Sequence, residues 1–163
     1  MAFDTLLVVA TVLCSLVAGF LFAFAAVVMP GLKRLDDAAF IRAFQLIDRV
    51  IQHNQPLFLL VWMGSLLSIV AAVMMALWQL SGVERVLLVI ATLVHLLGVH
   101  VPTFRINVPL NNQLQRVDPI AVDETTRRRA RADFEKRWNQ WNVFRTACAM
   151  IASVVLVLLL WRM

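Results

Sequence analysis

Four stretches of this chain are long enough, apolar enough and poor enough in charge to cross a lipid bilayer. No other feature constrains its fold as strongly. A hydrocarbon core of roughly 30 Å needs about 20 helical residues. Residues 6–29 and 56–80 carry no charge, 86–104 has His95 and His100 as its only ionisable groups, and 143–161 has Arg145 alone. In lipid each must be helical, because a helix satisfies its backbone groups within one segment. Composition agrees: of 163 residues 61% are hydrophobic and 15% charged, where soluble domains run at about 45–50% and 25%. An ordinary soluble enzyme, a disordered chain and a secreted disulfide scaffold are excluded. The first run lacks a basic flank and is about twice the length of a signal-peptide core, so it is expected to be retained. The expected fold is all-α: a single membrane domain over 1–163, built as a four-helix bundle of two antiparallel hairpins.

Orientation follows from the basic residues. Arg85 sits in the short turn between spans two and three and Arg162 at the C-terminus. The other thirteen of fifteen Lys and Arg lie in or beside the connections 30–55 and 105–142. By the positive-inside rule both connections are expected to be cytoplasmic and both termini outside. The net charge of +5 then reports topology, so nucleic acid is not an expected partner. In the first connection Phe40, Phe44, Ile47 and Ile51 share one helical face, with Asp36 as N-cap, which predicts an interfacial helix over 37–53. The second is predicted over 123–141, running on into span four. Its Arg run is read as solvated and attracted to anionic headgroups of the bilayer. The two halves also show a weak repeat, Val28-Met29-Pro30-Gly31-Leu32 against Asn107-Val108-Pro109-Leu110-Asn111, like the parallel repeats of membrane proteins.

Helices in lipid associate through close backbone contact at small residues. Gly64, Ser68, Ala72 and Ala76 form such a stripe on span two, and Ser15, Gly19 and Ala23 form one on span one. The two are predicted to face each other, and Val154–Trp161 at the end of span four to face lipid. Cys14 and Cys148 fall at different depths, too far apart for a disulfide, and are read as small apolar residues.

Polar residues inside a membrane are expensive and point to function. His100, Thr103, Asn107 and Asn111 share a face of span three. His95 lies about 140° away by straight-helix arithmetic and is read as structural. Trp138, Trp141, Asn142 and Arg145 form a second face at the start of span four. The tryptophans alone read equally well as an interfacial belt, but an Arg one turn inside a span needs a partner. Asn107, Asn111, Asn112, a backbone carbonyl or a bound anion are the candidates. His53, Asn54 and Gln55 enter span two at the same level, so three span ends converge on one pocket.

Asn107-Val-Pro-Leu-Asn-Asn112 and Trp138-Asn-Gln-Trp-Asn-Val-Phe-Arg145 resemble a large family of small four-helix membrane proteins that includes the fungal anthrone oxygenases. The resemblance extends over essentially the whole chain and implies a bacterial inner-membrane protein. It also implies oxidation of an anthrone or activated phenol by O2 without metal or flavin, with Asn107, Asn111, Asn112, Trp138, Trp141, Asn142 and Arg145 carried over as motif residues. For that chemistry His100 or His53 is the expected base, and Arg145 with the asparagines holds the developing oxyanion. Asn107, Asn111, Asn112, Thr103, Trp138, Trp141 and Asn142 are the expected substrate-binding residues; no metal site is expected. Two other readings stand beside it. One is a non-enzymatic binder or carrier of a hydrophobic anion, or a partner subunit. The other is a haem protein ligated by His53 and His100.

Overall fold

A computed structural model describes residues 2–53 and 55–163 of the chain. Among these the structure is helical, with no strand. Five continuous helices run in order: α1 Ala2–Leu32, α2 Asp37–Gln52, α3 Pro56–Gln79, α4 Gly82–Gln115 and α5 Glu124–Arg162. All but α2 are long and apolar enough to cross a membrane, which makes this an integral membrane protein. Asn54, which sequence reading placed at the pocket, lies outside the described residues.

The helix starts are set by local chemistry. The Asp36 side chain accepts the Ala39 N–H at 2.8 Å and the Asp123 side chain accepts the Thr126 N–H at 2.7 Å, so each satisfies an orphan donor of a first turn. The Gln55 side chain caps Phe58 N–H in the same way, with Pro56 opening α3.

The prolines at or just past the ends of spans one and three do not end their helices. Each is preceded by a turn widened to i→i+5 bonding: Phe24–Val28 before Pro30, Leu96–His100 before Pro102, and Thr103–Asn107 before Pro109. Met29, Val101 and Val108 donate to the carbonyls of Phe24, Leu96 and Thr103. A proline has no N–H and its ring crowds the carbonyl four residues back; one widened turn relieves the clash and keeps the helix whole. Helix α1 therefore runs on through Pro30, and α4 through Pro102 and Pro109 to Gln115, past the sequence-based end near 104.

Helix α1 packs along α3 and α5, and α4 along α5, while α3 and α4 touch far less. At the end where α3 turns into α4, a core of Phe3, Leu7, Ala10, Ala72, Ala76, Ala91, Leu156 and Leu159 closes the bundle. Two expectations change here. Ser68, Ala72 and Ala76 are buried, but Ser15, Gly19 and Ala23 are exposed; the buried face of α1 is Leu7, Ala10, Cys14, Val17 and Leu21. Spacing shows which residues share a face but not what that face meets. At the end of α5, Leu156 and Leu159 are fully buried between exposed neighbours, so only part of that segment faces outward. Gly98 comes so close to α5 that an added Cβ would stand 2.6 Å from Cβ and Sγ of Cys148. Both cysteines are free thiols.

At the other end α2 lies across α5 and the last turns of α4, burying Phe40, Ile41, Phe44, Gln45 and Asp48. Gln45 donates through Nε2 to the carbonyls of Leu114, in the last turn of α4, and of Val117, just beyond it, both at 2.8 Å. Arg131 fastens the α1–α2 connection to α5. It donates to the carbonyls of Leu35 and Lys33 at 2.8 and 2.9 Å, pairs with Asp37 at 3.0 Å and Glu135 at 2.8 Å, and lies over the Phe40 ring. One arginine of the run read as solvated is thus a clamp.

Candidate functional site

A cavity of about 250 Å³ opens at this α2 end, and all five helices contribute to its wall. Because α3 stands away from the widened part of α4, the space between them is filled by aromatic rings instead of close backbone contact. Phe20, Phe24, Phe44, Phe58, Trp62, Phe104 and Trp138 line it. Several interlock: Phe58 stacks on Trp62 with centroids 5.5 Å apart, and Trp138 meets Phe24 at 5.7 Å and Phe44 at 5.5 Å. Such a wall suits a flat apolar ligand, although the volume is at the small end for ligand pockets.

The polar groups are few and fixed. Arg145 is 3% exposed. It donates through one terminal nitrogen to Thr103 Oγ1 at 2.7 Å and through the other to Asn142 Oδ1 at 3.0 Å. These are not the asparagines proposed from sequence. Thr103 is oriented for this because its own hydroxyl donates to the Val99 carbonyl at 2.7 Å. Asn142 is oriented by donating to the Leu21 carbonyl at 3.1 Å. The guanidinium also lies 5.8 Å from the Trp138 ring centroid. No carboxylate among the described residues pairs with it. Its Nε and the Oδ1 of Asn107 are buried without a protein partner, whereas Asn107 Nδ2 donates to the Trp138 carbonyl at 3.3 Å.

The α2 wall of the same cavity carries a group that sequence reading passed over. Asp48 is 3% exposed and is the only carboxylate among the described residues lining the cavity. Oδ1 accepts from Asn111 Nδ2 at 2.8 Å; Oδ2 accepts from Gln52 at 2.6 Å and from Gln115 at 2.9 Å. Asn111 in turn accepts from Trp138 Nε1 at 2.8 Å, which ties Asp48 to α5. Asn112 accepts from Gln52 at 3.3 Å. The signal was present in the sequence, since Asp48 follows Phe40 and Phe44 at four-residue steps and so sits on the apolar face of α2.

Of the residues expected at a site, Thr103, Asn107, Asn111, Asn112, Trp138, Asn142 and Arg145 line the cavity; His53, His100 and Trp141 do not. His53 is exposed just past the end of α2. Trp141 is half-buried against Phe144. His100 is buried behind the wall, edge-on to Trp62 at 5.3 Å and stacked on Phe104 at 6.5 Å. Both of its ring nitrogens lack a partner among the described residues, so it has no bonded route to the cavity. His53 and His100, the pair considered for haem, therefore share no cavity. Straight-helix arithmetic also misplaced His95. The i→i+5 turn between the two brings the His95 and His100 rings within 5.0 Å. His95 Nε2 lies 3.4 Å from Ser65 Oγ and 3.7 Å from Cys14 Sγ. Among the described residues no group of three or more His, Cys, Asp or Glu is placed to hold a metal ion.

This chain matches the family model described as Anthrone oxygenase over residues 57–155, a span that takes in every expected cavity residue on α4 and α5. No curated protein and no solved structure matches it. The match covers more than half of the chain, and the chain belongs to the anthrone oxygenase family.

Proposed function

We propose that this protein oxidises an anthrone-like or phenolic hydrophobic molecule with O2 in the aromatic cavity. Arg145 carries the reading: a guanidinium buried to 3% exposure, held by two neutral oxygens and facing an apolar cavity. A charge taken out of water is costly unless an opposite charge meets it. An enolate or phenolate oxygen supplies that charge, and the aromatic wall receives the rings behind it. Membership of the family points to the same substrate class. On this reading the cavity opens at the cytoplasmic face of a bacterial inner membrane, with both termini outside; the basic residues gathered in and beside the two arms support the orientation, and the family resemblance supports the membrane.

An anthrone methylene is acidic because loss of one proton gives an enolate whose charge is shared with the carbonyl oxygen. Arg145 stabilises that oxygen as its charge develops. The carbanion adds to O2, making a C–O bond and leaving a peroxide on the same carbon. Loss of the second hydrogen as a proton, with cleavage of the O–O bond, gives the ketone. The sum is CH2 + O2 → C=O + H2O: the carbon gives up four electrons and O2 accepts them, so the balance needs no further redox partner.

O2 consumption by the purified protein with anthrone, with the quinone quantified, tests this. Arg145→Ala is expected to lower kcat/KM about 10²–10³-fold. Unchanged turnover in that variant would overturn the reading. So would tight anthrone binding by the wild type without O2 uptake, which describes a carrier of hydrophobic anions instead.

A further inference from the structure

Resting on the function just proposed, we infer that Asp48 is the base that removes the methylene proton. The oxidation needs a proton acceptor at the cavity, and neither His53 nor His100 lines it. Asp48 does, from a helix outside the matched residues 57–155. A carboxylate offers about four acceptor positions. Asn111, Gln52 and Gln115 occupy three, leaving one for a proton from the ligand. The same three amides fix the group in place, and Asn111 links it to Trp138, on whose ring Arg145 rests. Base and oxyanion holder are thus positioned by one connected set of side chains across the cavity.

The proton passes from carbon to Asp48, and the bonding pair stays on the substrate, drawn toward the oxygen at Arg145. After O2 adds, Asp48 returns the proton to the peroxide. It then takes the second methylene proton as the O–O bond breaks, and that proton leaves in water, restoring the carboxylate. Burial pushes the Asp48 carboxyl upward and its three amide donors pull the other way; the net direction is up, toward a working pH. The groups around it do not compete. Arg49 on the same helix bonds Gln115 at 3.3 Å. The facing side of α4 presents amides, α1 and α3 present apolar and aromatic groups, and α5 presents Arg145 and Asn142.

Anaerobic exchange of the anthrone methylene hydrogens with D2O, read by mass spectrometry, isolates the proton step from O2 chemistry. The wild type is expected to exchange well above the buffer rate. Asp48→Asn, which keeps the size and shape of the side chain, is expected to lose exchange and turnover together by about 100-fold or more. Asp48→Glu should retain part of both, and His53→Ala and His100→Phe should retain nearly all. Anthraquinone binding by Asp48→Asn checks that its cavity is intact. Exchange and O2 uptake at wild-type rates in Asp48→Asn would overturn the inference and leave the proposed function standing. A wild type that neither exchanges nor consumes O2 would overturn both. Should Asp48→Asn not fold, the wild type decides: its exchange above buffer must rise with pH through one carboxylate-type ionisation, and a flat profile overturns the assignment.

Discussion

Where the chain turns through Ser81 and Gly82, the spans close on one another through Ala10, Ala72, Ala76 and Ala91. At the α2 end the same helices are held apart by Phe24, Phe44, Phe58, Trp62 and Trp138. Small side chains let backbones approach, which is what binds helices in lipid. Large rings standing edge to face cannot fill the space they open, and three widened turns lie in the same half of α1 and α4. One end therefore holds the bundle together while the other carries a cavity. The cavity end is stable because α2, Arg131 and Gln45 tie it from outside.

The contrast can be broken most severely at its boundary. Gly98→Ala places a Cβ against Cys148 beneath the cavity. It should cost about 1–3 kcal/mol by overpacking, read as thermal unfolding in detergent, and Cys148→Gly in the same chain should restore most of it. An undisturbed melting temperature in the single variant would show that the helices are not closely packed there.

At the cavity end, Trp138→Phe keeps a ring but removes the donor to Asn111. The expected loss is about 1 kcal/mol of stability, with a larger fall in kcat/KM than in melting temperature because the support of Asp48 is loosened. A smaller effect depends on pH. A carboxyl held above its ordinary range in the folded state binds its proton more tightly than in the unfolded chain. Its contribution to stability is full below the ordinary carboxylate pKa and is lost as pH rises through the raised value. Wild type should therefore lose stability relative to Asp48→Asn as pH rises through the weakly acidic range; parallel melting curves at pH 4 and 7 would contradict it. Least of all, His53→Ala should change stability by no more than about 0.5 kcal/mol, since His53 is exposed and does not line the cavity.

Much of the fold was legible because lipid permits so few backbone solutions: an uncharged apolar run of bilayer length must be a helix. The charge on Arg145 and the asparagines around it were legible for the same reason, as costs that only a site explains. What spacing could not convey was orientation. Ser15, Gly19 and Ala23 make as good a stripe as Ser68, Ala72 and Ala76, yet only the second is buried. His95 and His100 were separated by an arithmetic that assumes 3.6 residues in every turn, and a widened turn brings their rings together. Asp48 was masked by the Phe and Ile residues around it, which read as one face turned to the bilayer.

By itself, then, the sequence determined the class of fold and the polar residues that must be explained, because both follow from composition or spacing along one helix; the family was legible only as a resemblance of its motifs, which the match over residues 57–155 shows. Tertiary structure alone decided which faces meet, that His53, His100 and Trp141 stand outside the cavity, and that Asp48 and Arg145 share it. Those relations depend on how helices distant in sequence cross, and here the crossing is set by three proline-induced turns and a packing of rings that no single segment encodes.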